Sequence, residues 1–126
     1  EDMLNYARIM PSVNQIEINP WLQRPSLISA TIESGATPMA YSPLARGHKV
    51  RDPSLVQIAE ILGCTPAQVA IKWCIDSGAI TIPKSSNPDR IVENFHSQNI
   101  DITPVMEQLQ SMDENYVSGW DPTVEI

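Results

Sequence analysis

The sequence predicts an α/β fold with a parallel sheet, because short apolar segments alternate with amphipathic ones along its 126 residues. Segments 13–18, 37–40 and 79–82 are typical of strands. The last two are almost wholly apolar, as expected for parallel strands that are covered on both faces. We therefore expect one domain spanning residues 1–126, with an irregular tail at 118–126, where no periodicity remains.

Five helices are predicted between and after the strands. The first two span 26–34 and 53–62, and each is followed by a glycine suited to ending a helix. The third spans 65–77 and opens with Thr-Pro-Ala-Gln, a capping box with proline at the first helical position. The fourth and fifth are expected to begin at Asn87 and after Pro104 and to bury two apolar sets: Ile91, Val92 and Phe95, then Val105, Met106, Leu109 and Met112.

Three parallel strands are too few for a closed fold, because such a sheet leaves two unpaired backbone edges. An eight-stranded β/α barrel takes about 250 residues, so this chain corresponds to somewhat less than half of one. We expect a partial (β/α)8 TIM barrel. Its open edges imply a missing half, self-association with a second copy, or cover of a kind that the sequence does not indicate.

Composition excludes several kinds of partner. Eight Lys and Arg against fifteen Asp and Glu give a formal net charge of -7, which argues against nucleic-acid binding. No apolar run approaches the ~20 residues that cross a bilayer. Cys64 and Cys74 lack metal-ligand spacing, and Cys74 lies among apolar helical residues as a buried, reduced thiol. A cytoplasmic protein that binds no metal and no membrane is therefore expected.

The stretch IPKSSNPDRIVEN, residues 82–94, predicts an anion site at the end of the third strand. Lys84, Ser85 and Asn87 precede a helix whose first N–H groups point toward the same place, and Arg90 adds a planar guanidinium one turn later. Together these groups favour phosphate. The alternative is a well-capped helix start beside a solvated lysine, and this stretch alone leaves both open.

The other strand ends also carry polar or aromatic side chains. Gln15 lies on the first strand, and Tyr41 and Ser42 follow the second. Because the functional face of a β/α barrel lies at the strand C-termini, these residues are candidates for the same site. Taken singly, Gln15 is better explained as a hydrogen-bonded core amide, and Tyr41 as a packing residue at the rim of the barrel.

Four blocks in order, VNQIEINPWLQ, AYSPLARG, TPAQVAIKW and IPKSSNPDRIVENF, resemble the aldo-keto reductase family from about residue 8 to 116. The resemblance implies the last three β/α units of the barrel plus a C-terminal helix, and NADP(H) extended across the strand C-termini. It also implies that Gln15 binds the nicotinamide carboxamide and that Tyr41 stacks on the nicotinamide. Ser42 and Leu44 would contact the pyrophosphate, beneath a short loop that clamps the cofactor lightly.

For the adenosine end, the resemblance implies that Lys84, Ser85 and Asn87 hold the 2′-phosphate with Arg90 beside them. Glu93 and Asn94 would reach the adenine amino edge. This agrees with the charge argument, since a lysine and an arginine at a helix N-terminus favour the extra phosphate of NADP over NAD.

The family reduces carbonyl compounds with a catalytic Asp, Tyr, Lys and His that lie on earlier strands, so we expect this chain to lack them. Three hypotheses follow. The chain is the NADPH-binding portion of a reductase, acting on a small carbonyl substrate with a missing barrel half. Alternatively, it is a truncated, self-associating relative with a non-redox activity such as cyclisation or dehydration. A third possibility is a non-catalytic binding module.

Overall fold

The protein, described at residues 2–124 by a computed structural model, is built on a three-stranded parallel sheet of order β1-β2-β3. The strands are β1 (Val13–Glu17), β2 (Thr37–Tyr41) and β3 (Ile80–Thr81). Glu17 is paired in register with Tyr41, so β1 and β2 end side by side. The predicted α/β class and parallel pairing are confirmed, while residues 125–126 of the predicted tail lie outside the described range.

Five helices accompany the sheet, close to the predicted positions. The fifth is shorter than its apolar pattern suggests, because a 3₁₀ turn at Thr103–Val105 replaces its first turn. The bounds are α1 Pro25–Glu33, α2 Pro53–Leu62, α3 Pro66–Asp76, α4 Pro88–His96 and α5 Met106–Gln110.

Side-chain caps fix where α2 and α3 begin. Asp52 Oδ1 accepts hydrogen bonds from the backbone N–H groups of Ser54 (2.9 Å) and Leu55 (3.4 Å). The Gln68 N–H donates to Thr65 Oγ1 at 3.3 Å, while Gln68 Oε1 accepts from the Thr65 N–H at 3.1 Å. This reciprocal pair is the capping box that the sequence predicts, and such a cap contributes about 1 kcal/mol.

The core lies between one face of the sheet and helices α1, α2, α3 and α5. Cys74 is fully buried there, with its Sγ 3.4 Å from the Ile18 carbonyl oxygen, and burial raises the pKa of its thiol to about 12. The buried thiol that the sequence predicts is confirmed. Residues from every layer share this core: Ile16, Ala40, Leu55, Ile58, Val69, Trp73, Leu109 and Met112.

The opposite face of the sheet is open. Gln15, Met39 and Ile80 are paired in register across the three strands and share this face. Gln15 and Ile80 are exposed, as are Val13 and Ile82. The expectation that the second and third strands are covered on both faces is therefore wrong here, because no described element packs over this side of the sheet.

Helix α4 also differs from expectation. Ile91, Val92 and Phe95 are 54%, 56% and 68% exposed, so the apolar stripe predicted to be buried faces outward. The helix contacts α3 and the turn that follows α4, beside the short edge strand β3. The three residues lie on a helix, as predicted, but within residues 2–124 no element covers them.

No single helix in the described range is long and apolar enough to cross a membrane. Helices α2 and α3 reach that length and composition only when taken together, and they are bent by 87° relative to each other. Both contribute residues to the core.

The core packing predicts a large difference between two aliphatic residues of α2. Leu55→Ala is expected to lower the free energy of unfolding by about 2–5 kcal/mol, because Leu55 is fully buried and its loss leaves a cavity. Ile61→Ala, at a position 60% exposed, is expected to change it by less than about 0.5 kcal/mol. Urea unfolding followed by circular dichroism measures both; equal effects would contradict this account of the core.

Candidate functional site

A cleft of about 790 Å³ lies at the carboxyl ends of β2 and β3. This is the size of a pocket for a small organic ligand or cofactor. Its walls come from the loop after β2, the start of α3, the end of β3 and the first turns of α4. The lining residues are Ser42, Pro43, Leu44, Arg46, Gly47, Val50, Arg51, Thr65, Pro66, Ala67, Ile82, Pro83, Lys84, Ser85, Arg90, Glu93 and Asn94.

The loop after β2 has an unusual backbone. Ser42, Ala45 and Arg46 adopt left-handed φ angles of 48°, 46° and 55°, a conformation that residues with a Cβ disfavour. Asn19 Nδ2 donates to the Ser42 carbonyl oxygen at 3.4 Å and ties the start of the loop to the end of β1. The loop is therefore held in a specific, strained shape along one wall of the cleft.

The basic residues of the chain are concentrated in this cleft. Four of its eight Lys and Arg side chains line it: Arg46, Arg51, Lys84 and Arg90. Three of the other four form ion pairs elsewhere: Arg24 with Asp121 (2.9 Å), Lys49 with Glu114 (2.6 Å) and Lys72 with Asp76 (2.7 Å). Within residues 2–124, no cation that lines the cleft has an ion-pair partner, so an acidic chain presents a locally positive surface.

One carboxylate lines the cleft, and it is engaged by a neighbouring helix. Glu93 Oε1 accepts a 2.7 Å hydrogen bond from the Thr65 hydroxyl, and the Glu93 carbonyl oxygen accepts one from Gln68 Nε2 at 3.0 Å. These bonds join α4 to the start of α3. Glu93 nevertheless remains part of the wall of the cleft.

The first turn of α4 is organised by Asn87 and Ser85. Asn87 Oδ1 accepts from the N–H groups of Asp89 (2.8 Å) and Arg90 (3.3 Å), while Ser85 Oγ accepts from the Asn87 N–H at 3.1 Å. The amide oxygen of Asn87 is thus used to cap the helix, and only its amide nitrogen remains for a ligand. Ser85 lines the cleft and Asn87 does not.

Gln15 and Tyr41 lie outside the cleft, on the β1 side. Gln15 Nε2 is 3.2 Å from the Met39 sulfur, on the open face of the sheet. The pKa of the Tyr41 hydroxyl is raised, mainly by burial and then by the Glu17 carboxylate, with Arg24 opposing the shift. Tyr41 therefore stays protonated at neutral pH, a neutral ring near charged neighbours.

The structure thus brings seven of the ten predicted site residues together and leaves Gln15, Tyr41 and Asn87 outside. The seven in the cleft are Ser42, Leu44, Lys84, Ser85, Arg90, Glu93 and Asn94. Sequence reasoning missed Arg46, Arg51 and Thr65. The two arginines had a usable signal, because the loop from 42 to 52 holds three of the chain's eight basic residues.

The end of β1 is closed by the tail through a buried carboxylate. Glu17 is 1% exposed. Its oxygens accept from the Ser118 N–H at 3.2 and 3.3 Å, from the Ser118 hydroxyl, and from Asn19 Nδ2 at 3.4 Å. A buried carboxyl group needs hydrogen-bond partners, and the tail supplies them while it covers the strand end.

Removing one of these donors is expected to destabilise the chain. Ser118→Ala deletes the hydroxyl and leaves a buried carboxylate short of a partner, at a cost of about 1–3 kcal/mol. The matched control is Ser111→Ala, whose exposed hydroxyl donates to the Gln108 carbonyl oxygen, with an expected change below about 0.5 kcal/mol. Equal urea midpoints for the two variants would rule out a structural role for the Glu17–Ser118 contact.

The sequence profile of the Aldo/keto reductase family matches residues 1–116. Among similar proteins, aldose reductase B of Dictyostelium discoideum is 38% identical over 117 residues, covering 90% of this chain and 38% of its own length. An uncharacterized oxidoreductase of Schizosaccharomyces pombe is 36% identical over 121 residues, covering 95% and 44%. The chain therefore spans less than half the length of these relatives.

Solved structures of similar proteins also superpose on this chain. A mutant of Gox0644 in complex with NADPH superposes with a TM-score of 0.87 at 31% identity, covering 99% of this chain and 47% of that one. Aldose reductase from Giardia lamblia gives 0.85 at 31% identity, covering 98% and 44%. The three-stranded sheet and its helices correspond to part of the barrel in those enzymes, and the chain belongs to the aldo/keto reductase family.

Proposed function

We propose that this chain is the NADP(H)-binding portion of an aldo/keto reductase. The proposal rests on the distribution of charged side chains. The four cations that line the cleft have no ion-pair partner within residues 2–124, although the chain has a net charge of -7. Unpaired guanidinium and ammonium groups around one pocket favour a phosphorylated ligand. A similar solved structure holds NADPH, and a relative from Hypocrea jecorina is named glycerol 2-dehydrogenase (NADP(+)).

The dinucleotide would lie along the strand ends from β3 toward β1. Lys84, Ser85 and Arg90 would bind the 2′-phosphate, and Asn87 would add its amide nitrogen. In the same scheme Glu93 and Asn94 would bind the adenine edge, where Glu93 Oε2 remains after Oε1 binds Thr65.

Toward β1, Ser42 and Leu44 would contact the pyrophosphate in the strained loop. Tyr41 would stack on the nicotinamide, and Gln15 would bind its carboxamide once the amide turns away from Met39. When bound, the cofactor would supply the hydride for reducing a small carbonyl compound. The acid that protonates the carbonyl oxygen would come from outside these 126 residues, on the strands that the longer relatives possess.

Cofactor binding is tested by titrating NADPH and NADH fluorescence. Lys84→Ala and Arg90→Ala are each expected to weaken NADPH binding about tenfold, because each removes a charge-assisted hydrogen bond. Binding of NADH, which lacks the 2′-phosphate, is expected to change little. Lys72→Ala is the matched control, because Lys72 is a cation paired with Asp76 away from the cleft. If the folded chain binds neither dinucleotide, the assignment fails.

We also propose that the open sheet is completed by the missing half of the barrel. In β/α barrels, inward side chains of the strands fill the interior in layers. The layer Gln15–Met39–Ile80 and the neighbouring Val13 and Ile82 lie on the open face, where five further strands would bury them. The exposed stripe of α4 would contact the helix that follows the first strand of the missing half.

Assembly is tested by mixing this chain with a separately produced N-terminal half of a relative and measuring mass by sedimentation. We expect a 1:1 complex. Ile82→Asp and Phe95→Asp are each expected to weaken it by at least about tenfold, because each buries a carboxylate without a partner. Val124→Asp, at an exposed tail position, is the control. A stable homodimer that refuses the N-terminal half would instead favour the self-associating, non-redox alternative.

A further inference from the structure

The loop after β2 has two sides with different neighbours. Arg46, Gly47, Val50 and Arg51 line the cleft. Between them, His48 and Lys49 contact residues of the C-terminal segment 113–119, which we call the tail clasp. The loop is therefore a thin wall, with the cleft on one side and the tail clasp on the other.

Two side chains of the tail clasp hold this wall. Lys49 Nζ lies 2.6 Å from Glu114 Oε2 and 4.9 Å from the centre of the Tyr116 ring. The Tyr116 hydroxyl shares a 3.1 Å hydrogen bond with His48 Nδ1. An ion pair, a cation–π contact and a hydrogen bond thus converge on two adjacent loop residues.

The tail clasp is itself anchored to the core. The fully buried Trp21 offers its carbonyl oxygen to the N–H groups of Glu114 (3.1 Å) and Tyr116 (2.9 Å). Its indole Nε1 donates to Asp52 Oδ2 at 3.3 Å, which fixes the far end of the loop. Trp21 therefore binds both the tail clasp, which lies beside the loop, and Asp52 at the end of the loop.

A third contact reaches a cation of the cleft directly. Arg46 lies against Gly119, where a Cβ would come within 3.3 Å of its Nη1 atom. Because residue 119 has no side chain, the guanidinium can approach the tail this closely. The direction of Arg46 thus depends on the tail clasp as well as on its own strained backbone.

We propose that Glu114 and Tyr116 are positioning residues that hold the loop closed and set how long a dinucleotide stays in the cleft. This rests on the proposed function. The left-handed residues of the loop favour relaxation to other shapes, and the tail clasp opposes that relaxation from outside the cleft. Because neither residue lines the cleft, loosening them raises the rate of release without altering recognition of the 2′-phosphate.

Stopped-flow displacement of bound NADPH and NADH tests the proposal in Glu114→Gln and Tyr116→Phe. Each variant is expected to release both dinucleotides about two- to fivefold faster, the effect of losing one surface ion pair or hydrogen bond. The free energy of unfolding is expected to fall by no more than about 1 kcal/mol, which is the fivefold change converted by RT, and the ratio of NADPH to NADH affinity is expected to stay at the wild-type value. A merely structural role would lower the free energy of unfolding by more than this without changing the release rate, and damage to the phosphate site would change the ratio.

Glu107→Gln and Tyr6→Phe are matched controls at exposed positions and are expected to release at the wild-type rate. If the wild-type chain binds neither dinucleotide, the proposed function fails and the tail clasp, as a device for retaining the cofactor, fails with it. If the wild type binds and both variants release at its rate, only the tail clasp is overturned. A loss of stability larger than about 1 kcal/mol in either variant, with no change in the release rate, would also overturn it, because the role would then be structural.

Discussion

Trp21 joins parts of the molecule that are distant in sequence but adjacent in the fold. Its indole binds Asp52, which begins α2, and its carbonyl oxygen binds two N–H groups of the tail almost a hundred residues later. The ring itself is fully buried in the core. Because these bonds are made by one rigid, buried residue, the loop after β2, the start of α2 and the tail keep a fixed relation to the strand ends. The shape of the cleft follows from that relation.

The charged side chains differ in whether they are paired, and the difference depends on where they lie. Three of the four cations outside the cleft pair with neighbouring carboxylates, whereas those that line it have no ion-pair partner within residues 2–124. The carboxylates nearest the strand ends are restrained in a different way, Glu17 by hydrogen-bond donors of the tail and Glu93 by Thr65. An overall acidic protein can therefore attract an anion to one place, because unpaired groups dominate the local field while paired ones largely cancel.

Sequence reasoning worked best where the physics is local. The capping box of α3 involves residues three apart, and the structure has it as predicted. The position of α4 was also predictable, but what its apolar stripe faces depends on elements far away, and the prediction of burial was wrong. Glu17 and Ser118 are 101 residues apart, and no local pattern links them. Lys84 and Arg90 were found because they precede or begin a helix; Arg51 was missed because it lies at the end of an irregular loop.

The two cysteines differ in a way that has a practical use. The Cys74 sulfur is fully enclosed and its pKa stands at about 12, whereas Cys64, half-buried between α2 and α3, has a pKa raised less by burial. Alkylating reagents attack the thiolate, so Cys74 can react only while its surroundings open transiently. The rate at which Cys74 is alkylated, followed by mass spectrometry, therefore reports how often the core beneath the sheet opens.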